Sequence, residues 1–249
     1  MQRQRIAADY LQTAAVIACD GTIEAAVNDP NEYSGPGSGY RLHGERWQRL
    51  RALPHELDPH TLAYGGDNAG PPVLAELGEA EHGTSPHEVV IAIGPAFGDG
   101  LRETINGLRH EEVAAAIAGG VREGGGEPRL VRVRRSSDVA FIGHDGARLS
   151  GSGVAVGLQS KGTAVVHRAD LQPLDNLELF GMAPLLTLES YRAIGDNAAG
   201  YALGRAVGPV PTELDNFARA KLIVRTTLLH ARETEAIVAD APAVEVALL

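Results

Sequence analysis

Residues 88–134 carry the pattern that most restricts the fold. Val89, Val90, Ile91, Ala92 and Ile93 form an unbroken apolar run that stops at Gly94-Pro95, as a strand covered on both faces does. Over 110–121, Val113, Ala116, Ile117 and Val121 recur at helical spacing, and Gly124-Gly125-Gly126 ends the helix. Leu130, Val131 and Val133 then alternate with Arg129, Arg132 and Arg134 as a second strand. Strand, helix and strand within about 45 residues form a βαβ unit with parallel pairing. Around this unit, 154–166 reads as further strand. Residues 185–203 read as a helix after Pro184, burying Leu186, Leu188, Tyr191 and Ile194, and 222–229 and 236–238 read as strands. The predicted class is α/β: a Rossmann-like, mostly parallel sheet with flanking helices, plus an irregular N-terminal extension. No internal repeat is found.

Residues 1–66 have a different texture. A short helical pattern through Tyr10, Leu11, Ala14 and Ala15 gives way to the turn chemistry of Asn28-Asp29-Pro30-Asn31 and Gly35-Pro36-Gly37-Ser38-Gly39. A second amphipathic stretch at 45–53 holds the single tryptophan, Trp47, and ends at Pro54. So much turn buries little surface alone, so this block is expected to pack against something larger. Residues 67–86 read as a linker and 87–249 as the α/β domain.

Composition removes several function classes. With 22 basic against 32 acidic side chains the net charge is −10, unsuited to general nucleic-acid binding, which needs a basic face. The single cysteine, Cys19, excludes an internal disulfide framework and a cysteine-based zinc cluster. There is no apolar run long enough to span a membrane and no secretory signal at the start, so a soluble, cytoplasmic protein without membrane contact is expected. The nine histidines are scattered, with His55, His60, His82 and His87 in loops lacking carboxylate partners at metal-site spacing. No metal site is assigned.

Four local patterns bear on function. The loop 94–100 follows the first strand, where α/β folds take ligands. It has neither the dinucleotide glycine spacing nor a phosphate-loop Gly-Lys-Ser/Thr, so a tight βα connection is the simpler reading. Asp138, after Ser136-Ser137, either caps the next segment or faces a ligand. Ser150-Gly151-Ser152-Gly153 offers bare N–H groups and two hydroxyls to a ligand, or makes a tight turn after a turn at His144-Asp145-Gly146. Gln159-Ser160-Lys161-Gly162-Thr163 breaks an apolar stretch. Lys161 and Lys221 are the only lysines beside 20 arginines, so Lys161 is either a snorkelling surface residue or a retained, positioned donor. The arginine row 129, 132, 134 and 135 reads as a solvated strand face or a subunit contact. No nucleophile–base pair is found, and no catalytic residue is assigned.

From about residue 72 to the end, the phrases VVIAIGPAFG, SSDVAF, ARLSGSGVAVGLQSKGTAVVH, PLDNLELF, APLLTLESYRAIGDNAAGYA and LLHARETEAIV run in order. This stretch resembles the medium subunit of the adenosylcobalamin-dependent diol and glycerol dehydratases. RQRIAADYLQTAAVI, AAVNDPNEYSGPGSGYRL and ERW in residues 1–66 resemble the C-terminal tail of the large subunit of the same enzymes. The block is then either the remnant of a fused polypeptide or a genuine split tail. The resemblance implies a subunit that holds adenosylcobalamin from below, its nucleotide base retained on cobalt, against a large-subunit barrel. There, propane-1,2-diol or glycerol becomes an aldehyde by radical hydroxyl migration and loss of water. It implies large and small subunits and a reactivating factor as partners. By the same resemblance Asp138 and Lys161 match corrin-amide contacts, and Leu174, Asn176, Arg219 and Thr226 match further cobalamin-lining positions. Ser150 and Ser152 are expected near the nucleotide tail by inference alone. Gly181 stands where the family often has proline, and Thr226 replaces a family serine.

Two rivals remain at this level. One is the small subunit of a dehydratase-reactivating factor, which is typically shorter and lacks the stretch from PLDNLELF onward. The other is a scaffold that kept the fold without the cofactor. The large-subunit-like tail occupies the place of a family targeting helix, which favours ordinary cytosol over a bacterial microcompartment.

Overall fold

The computed structural model describes residues 73–249, and the N-terminal block 1–66, with its helical patterns and Trp47, lies outside them. The elements in chain order are β1 (Leu74–Glu79), β2 (Glu88–Ile93), α1 (His110–Glu123), β3 (Glu127–Arg132), α2 (Val139–Leu149) and β4 (Val154–Leu158). After them come β5 (Ala164–Arg168), β6 (Glu178–Phe180), a 3-10 turn at Ala183–Leu185, α3 (Leu188–Ala202), α4 (Asn216–Lys221), α5 (Ile223–Glu235) and β7 (Val244–Leu248). The strands make one sheet in the order β1-β7-β3-β2-β4-β5-β6.

Every residue of β2 is buried, as its apolar run requires. Val89, Ile91 and Ile93 pack with Val113, Ile117 and Ile194 under α1 and α3. Val90 and Ala92 face the other way, toward Val131, Ile142 and Ala147 beneath α2. β2 pairs in parallel with β3 on one side and β4 on the other, and the remaining four pairings are antiparallel. The α/β class holds, but the sheet is mixed rather than mostly parallel, with parallel pairing confined to the three central strands. The chain leaves β2 for β3 through α1 and recrosses to β4 through α2. The carboxyl ends of β2 and β4 therefore border the switch point where open α/β sheets take ligands. α2 lies close on β4: a Cβ at Gly157 would stand 2.6 Å from the Gly143 nitrogen, so that crossing tolerates no side chain.

Several expectations are corrected. Residues 74–79, within the stretch read as a linker, form an edge strand paired with β7, itself unanticipated. LAELGE lacks β-branched residues, and its order comes from the neighbour it pairs with. The single strand over 154–166 is a hairpin, β4 and β5, turning at 159–163. His144-Asp145-Gly146 lies inside α2 rather than in a turn. Residues 222–229 belong to a helical segment and 236–238 are not strand. Leu188 opens α3 at 36% exposure, while Tyr191 and Ile194 are fully buried as expected. The arginine row is not one solvated face: Arg135 is exposed, but Arg132 is 1% exposed, ion-paired to Glu76 at 3.1 Å, and its Nη1 donates to the carbonyls of Pro95 and Phe97 at 2.9 Å. Arg129 bridges Glu88 and Glu245, at 3.1 and 2.8 Å. Among the described residues no helix is long and apolar enough to cross a membrane.

His110, the first residue of α1, is wholly buried and stacked on Phe97. Its Nδ1 accepts the Gly98 N–H at 2.9 Å, which leaves Nε2 to donate to the Ser160 carbonyl at 2.8 Å. One neutral ring thus ties the β2–α1 loop to the β4–β5 turn. Burial lowers its pKa from 6.5 to about 4. The unfolded chain therefore binds a proton between pH 6.5 and 4 that the folded chain refuses, and stability falls as pH drops through that window. At pH 4.5 this one group should cost roughly 2–3 kcal/mol relative to pH 7. Urea unfolding of the parent chain and of His110→Gln across this range checks it: the variant's stability should show a correspondingly shallower acid slope.

Candidate functional site

Two segments that follow central strands meet at the carboxyl edge of the sheet. β3 runs into Ser136-Ser137-Asp138, and β4 into the 159–163 turn. With β6 and helices α4 and α5 they enclose an open cleft of about 470 Å³, whose lining includes Asp138, Gln159, Lys161, Leu179, Arg219 and His230. A second cavity of about 270 Å³ adjoins it, sharing Leu179, Gly181 and Arg219 and reaching Thr187 and Leu214. Leu179 is 54% exposed, so the floor is apolar while the rim is charged.

Asp138 is the N-cap of α2, and one carboxylate oxygen accepts the Ala140 N–H at 2.8 Å. Capping and facing the cleft are thus both true of it. Lys161 is half-buried, and burial pulls its ammonium below the usual lysine pKa, while the charges of Glu233 and Asp138 push the other way. Among the described residues neither Lys161 nor Arg219 makes an ion pair. Burial also lowers the His230 imidazole, with the Lys161 charge adding to it. The cleft therefore offers two unpaired cationic donors, one carboxylate acceptor and a neutral-leaning imidazole, a set suited to a ligand rich in amide groups.

The turn that carries Lys161 is fixed on all sides. Gln159 N–H donates to the Thr163 carbonyl at 3.0 Å, and Gly162 N–H to that of Gln159 at 2.8 Å. Tyr191 Oη, fully buried, donates to the Gly162 carbonyl at 2.6 Å, and Ile105 N–H to the Lys161 carbonyl at 3.1 Å. The Gln159 amide donates to the Ser137 carbonyl, which joins the two walls of the cleft. Glu233, on α5 and 1% exposed, accepts the Ser160 N–H at 2.7 Å and the Ala96 N–H at 3.4 Å. Burial raises its pKa above the ordinary carboxylate value against the pull of those N–H groups and of Arg132. A Cβ at Gly94 would collide with its Oε1. The close approach that the 94–100 glycines permit is thus to the protein's own carboxylate.

Of the residues singled out from sequence, the structure brings Asp138, Lys161 and Arg219 together. Leu174 and Asn176 lie exposed on the β5–β6 loop, outside the cleft lining. Thr226 sits one helical turn before His230 on α5, its Oγ1 donating to the Leu222 carbonyl at 2.9 Å. Ser150 and Ser152 are at the opposite end of α2, about 16 Å away along an 11-residue helix. Both hydroxyls donate to the Glu88 carbonyl, and Ser152 Oγ also accepts the Val154 N–H at 3.1 Å. That is the turn reading of the Ser/Gly motif. Glu233, Leu179 and His230 escaped the sequence reading, while Gln159 was noted only as part of the polar cluster around Lys161. The one available signal for Glu233 was its place seven and four residues after Thr226 and Leu229, a helical interval running on from a segment read as strand.

Comparison with known proteins places two regions. Residues 94–207 match the family model described as dehydratase medium subunit, and residues 1–61 the model described as dehydratase large subunit. Over 62 residues the chain is 42% identical to the glycerol dehydratase large subunit of Citrobacter freundii, covering 25% of this chain and 11% of that protein. The chain thus spans about a tenth of that curated relative's length. A solved structure of a glycerol dehydratase reactivase superposes with TM-score 0.39 at 19% identity, over 49% of this chain and 95% of that one. A diol dehydratase-reactivating factor complexed with ADP and Mg2+ gives 0.39 at 20%, over 51% and 100%.

The two roles of Asp138 separate by substitution. Asp138→Ala removes the cap and should lower unfolding free energy by about 1 kcal/mol, whereas Asp138→Asn keeps a capping oxygen and should stay within a few tenths of the parent. Urea denaturation of the three proteins distinguishes these outcomes.

Proposed function

We propose, from the matches of residues 94–207 to the dehydratase medium-subunit model and of residues 1–61 to the large-subunit model, that the chain is the subunit of a propanediol/glycerol dehydratase that seats adenosylcobalamin. The cofactor's lower face, base-on, would rest on the cleft at the carboxyl ends of β3 and β4, with the large subunit opposite. The observation that carries this reading is the convergence of Asp138, Lys161 and Arg219 on one open cleft, with both cations lacking an ion partner among the described residues.

A corrin rim of amide side chains needs donors for its carbonyls and acceptors for its N–H groups. Lys161 and Arg219 are the donors and Asp138 the acceptor, while Leu179 supplies apolar floor. When bound, the cofactor supplies the radical chemistry that converts the diol to an aldehyde. This chain's residues bind and orient the cofactor and cover one face of it from water. Leu174, Asn176 and Thr226 stay in the proposal as flanking contacts. Ser150 and Ser152 leave it, because their hydroxyls already satisfy the start of β2. Large and small subunits and a reactivating factor are the proposed partners.

Lys161→Ala tests the seat. In the complex reconstituted with large and small subunits, cobalamin Kd should rise ten- to a hundredfold, matching about 1.5–3 kcal/mol for a hydrogen bond to a charged group. Unchanged affinity would return the chain to a scaffold role. The purified chain with cofactor and diol should show no turnover, and aldehyde formation by it alone would refute the division of labour proposed here.

A further inference from the structure

Ser160 is gripped from both sides by buried side chains. Its N–H goes to Glu233 Oε2 at 2.7 Å and its carbonyl to His110 Nε2 at 2.8 Å, and both side chains are at most 1% exposed. The next residue is Lys161, whose own carbonyl is taken by the Ile105 N–H. With the backbone on both sides of it anchored, Lys161 has only its side chain free to move, and that side chain borders the cleft. We infer that Glu233 is the positioning residue of Lys161, holding through Ser160 the turn that carries it. The inference rests on the cofactor-seat reading for its purpose, and on the hydrogen bonds for its geometry.

A buried carboxylate is costly unless hydrogen-bonded, and Glu233 is not placed to serve packing alone. Its bonds join Ala96, after β2, to Ser160, after β4, across the switch point. The charged or titratable groups acting on Lys161 are Glu233, Asp138 and Arg219, with His230 beside it in the cleft lining. Burial alone would favour a neutral amine there, and the two carboxylates oppose that. An ammonium kept charged and held in place is a better donor to ligand carbonyls than a mobile one.

The chain suits a direct measurement because Lys161 and Lys221 are its only lysines. Reductive dimethylation with 13C-formaldehyde gives two lysine signals besides the amino terminus, and NMR titration of the full chain reads each midpoint. In Glu233→Gln the Lys161 midpoint should fall while that of Lys221 stays. Gly94→Ala, whose Cβ displaces the carboxylate without removing it, should shift Lys161 in the same direction and serves if the first variant does not fold. An unmoved Lys161 midpoint in a folded variant overturns the inference. Cobalamin affinity of the reconstituted complex supplies the second arm. Glu233→Gln should raise Kd, and adding it to Lys161→Ala should raise Kd no further; full additivity also overturns the inference. If the midpoint falls but Lys161→Ala leaves Kd untouched, the cofactor seat fails and the positioning stands.

Discussion

A carboxylate cut off from water must take its hydrogen bonds from the protein, and Glu233 takes them from backbone N–H groups beyond the ends of two neighbouring parallel strands. That bond set fixes where α5 lies against the sheet, because the helix can approach only where Gly94 has no side chain. It also fixes the 159–163 turn. In many open α/β sheets this crevice receives a ligand's anion. Here the protein fills it, and the accessible chemistry is moved sideways, toward β5, β6 and the start of α2. The location of the cleft thus follows from the occupation of the switch point.

The two ends of the sheet show how the same residue types divide between support and exposure. At the amino end, the Ser150 and Ser152 hydroxyls and the Arg129–Glu88–Glu245 bridges close on one another. At the carboxyl end the 159–163 turn is held by its own hydrogen bonds, but Lys161 and Arg219 make no ion pair among the described residues. Polar groups in a folded protein are paired as a rule. A rim of unpaired cations over an apolar floor is therefore more informative than any glycine pattern in the sequence.

The central unit was legible because its signals were pure. β2 is apolar from Val89 to Ile93, α1 has a clean stripe ended by three glycines, and β3 is rich in leucine and valine at its end. Asp138 announced a helix start, and the scarcity of lysine drew attention to Lys161. The stretch after α3 was not legible for a physical reason. The buried residues of α5 are Arg225, Leu229 and Glu233, so two charges sit where periodicity seeks apolar side chains. Ile223, Val224, Thr226 and Thr227 meanwhile imitate strand composition. β1 failed similarly, being helix-forming residues held extended by β7. The candidate site was therefore half visible: Asp138, Lys161 and Arg219 could be named, whereas Leu179, His230 and the buried Glu233 could not.

The outermost strand, β1, breaks its register with β7 between Glu76 and Gly78, where Gly78 takes φ +139°. An irregularity of this kind twists this edge of the described sheet away from the flat geometry that another sheet needs for pairing, and the acidic Glu79 adds repulsion between like copies. The kink at Gly78 therefore works against stacking of copies, strand on strand, along this side of the sheet.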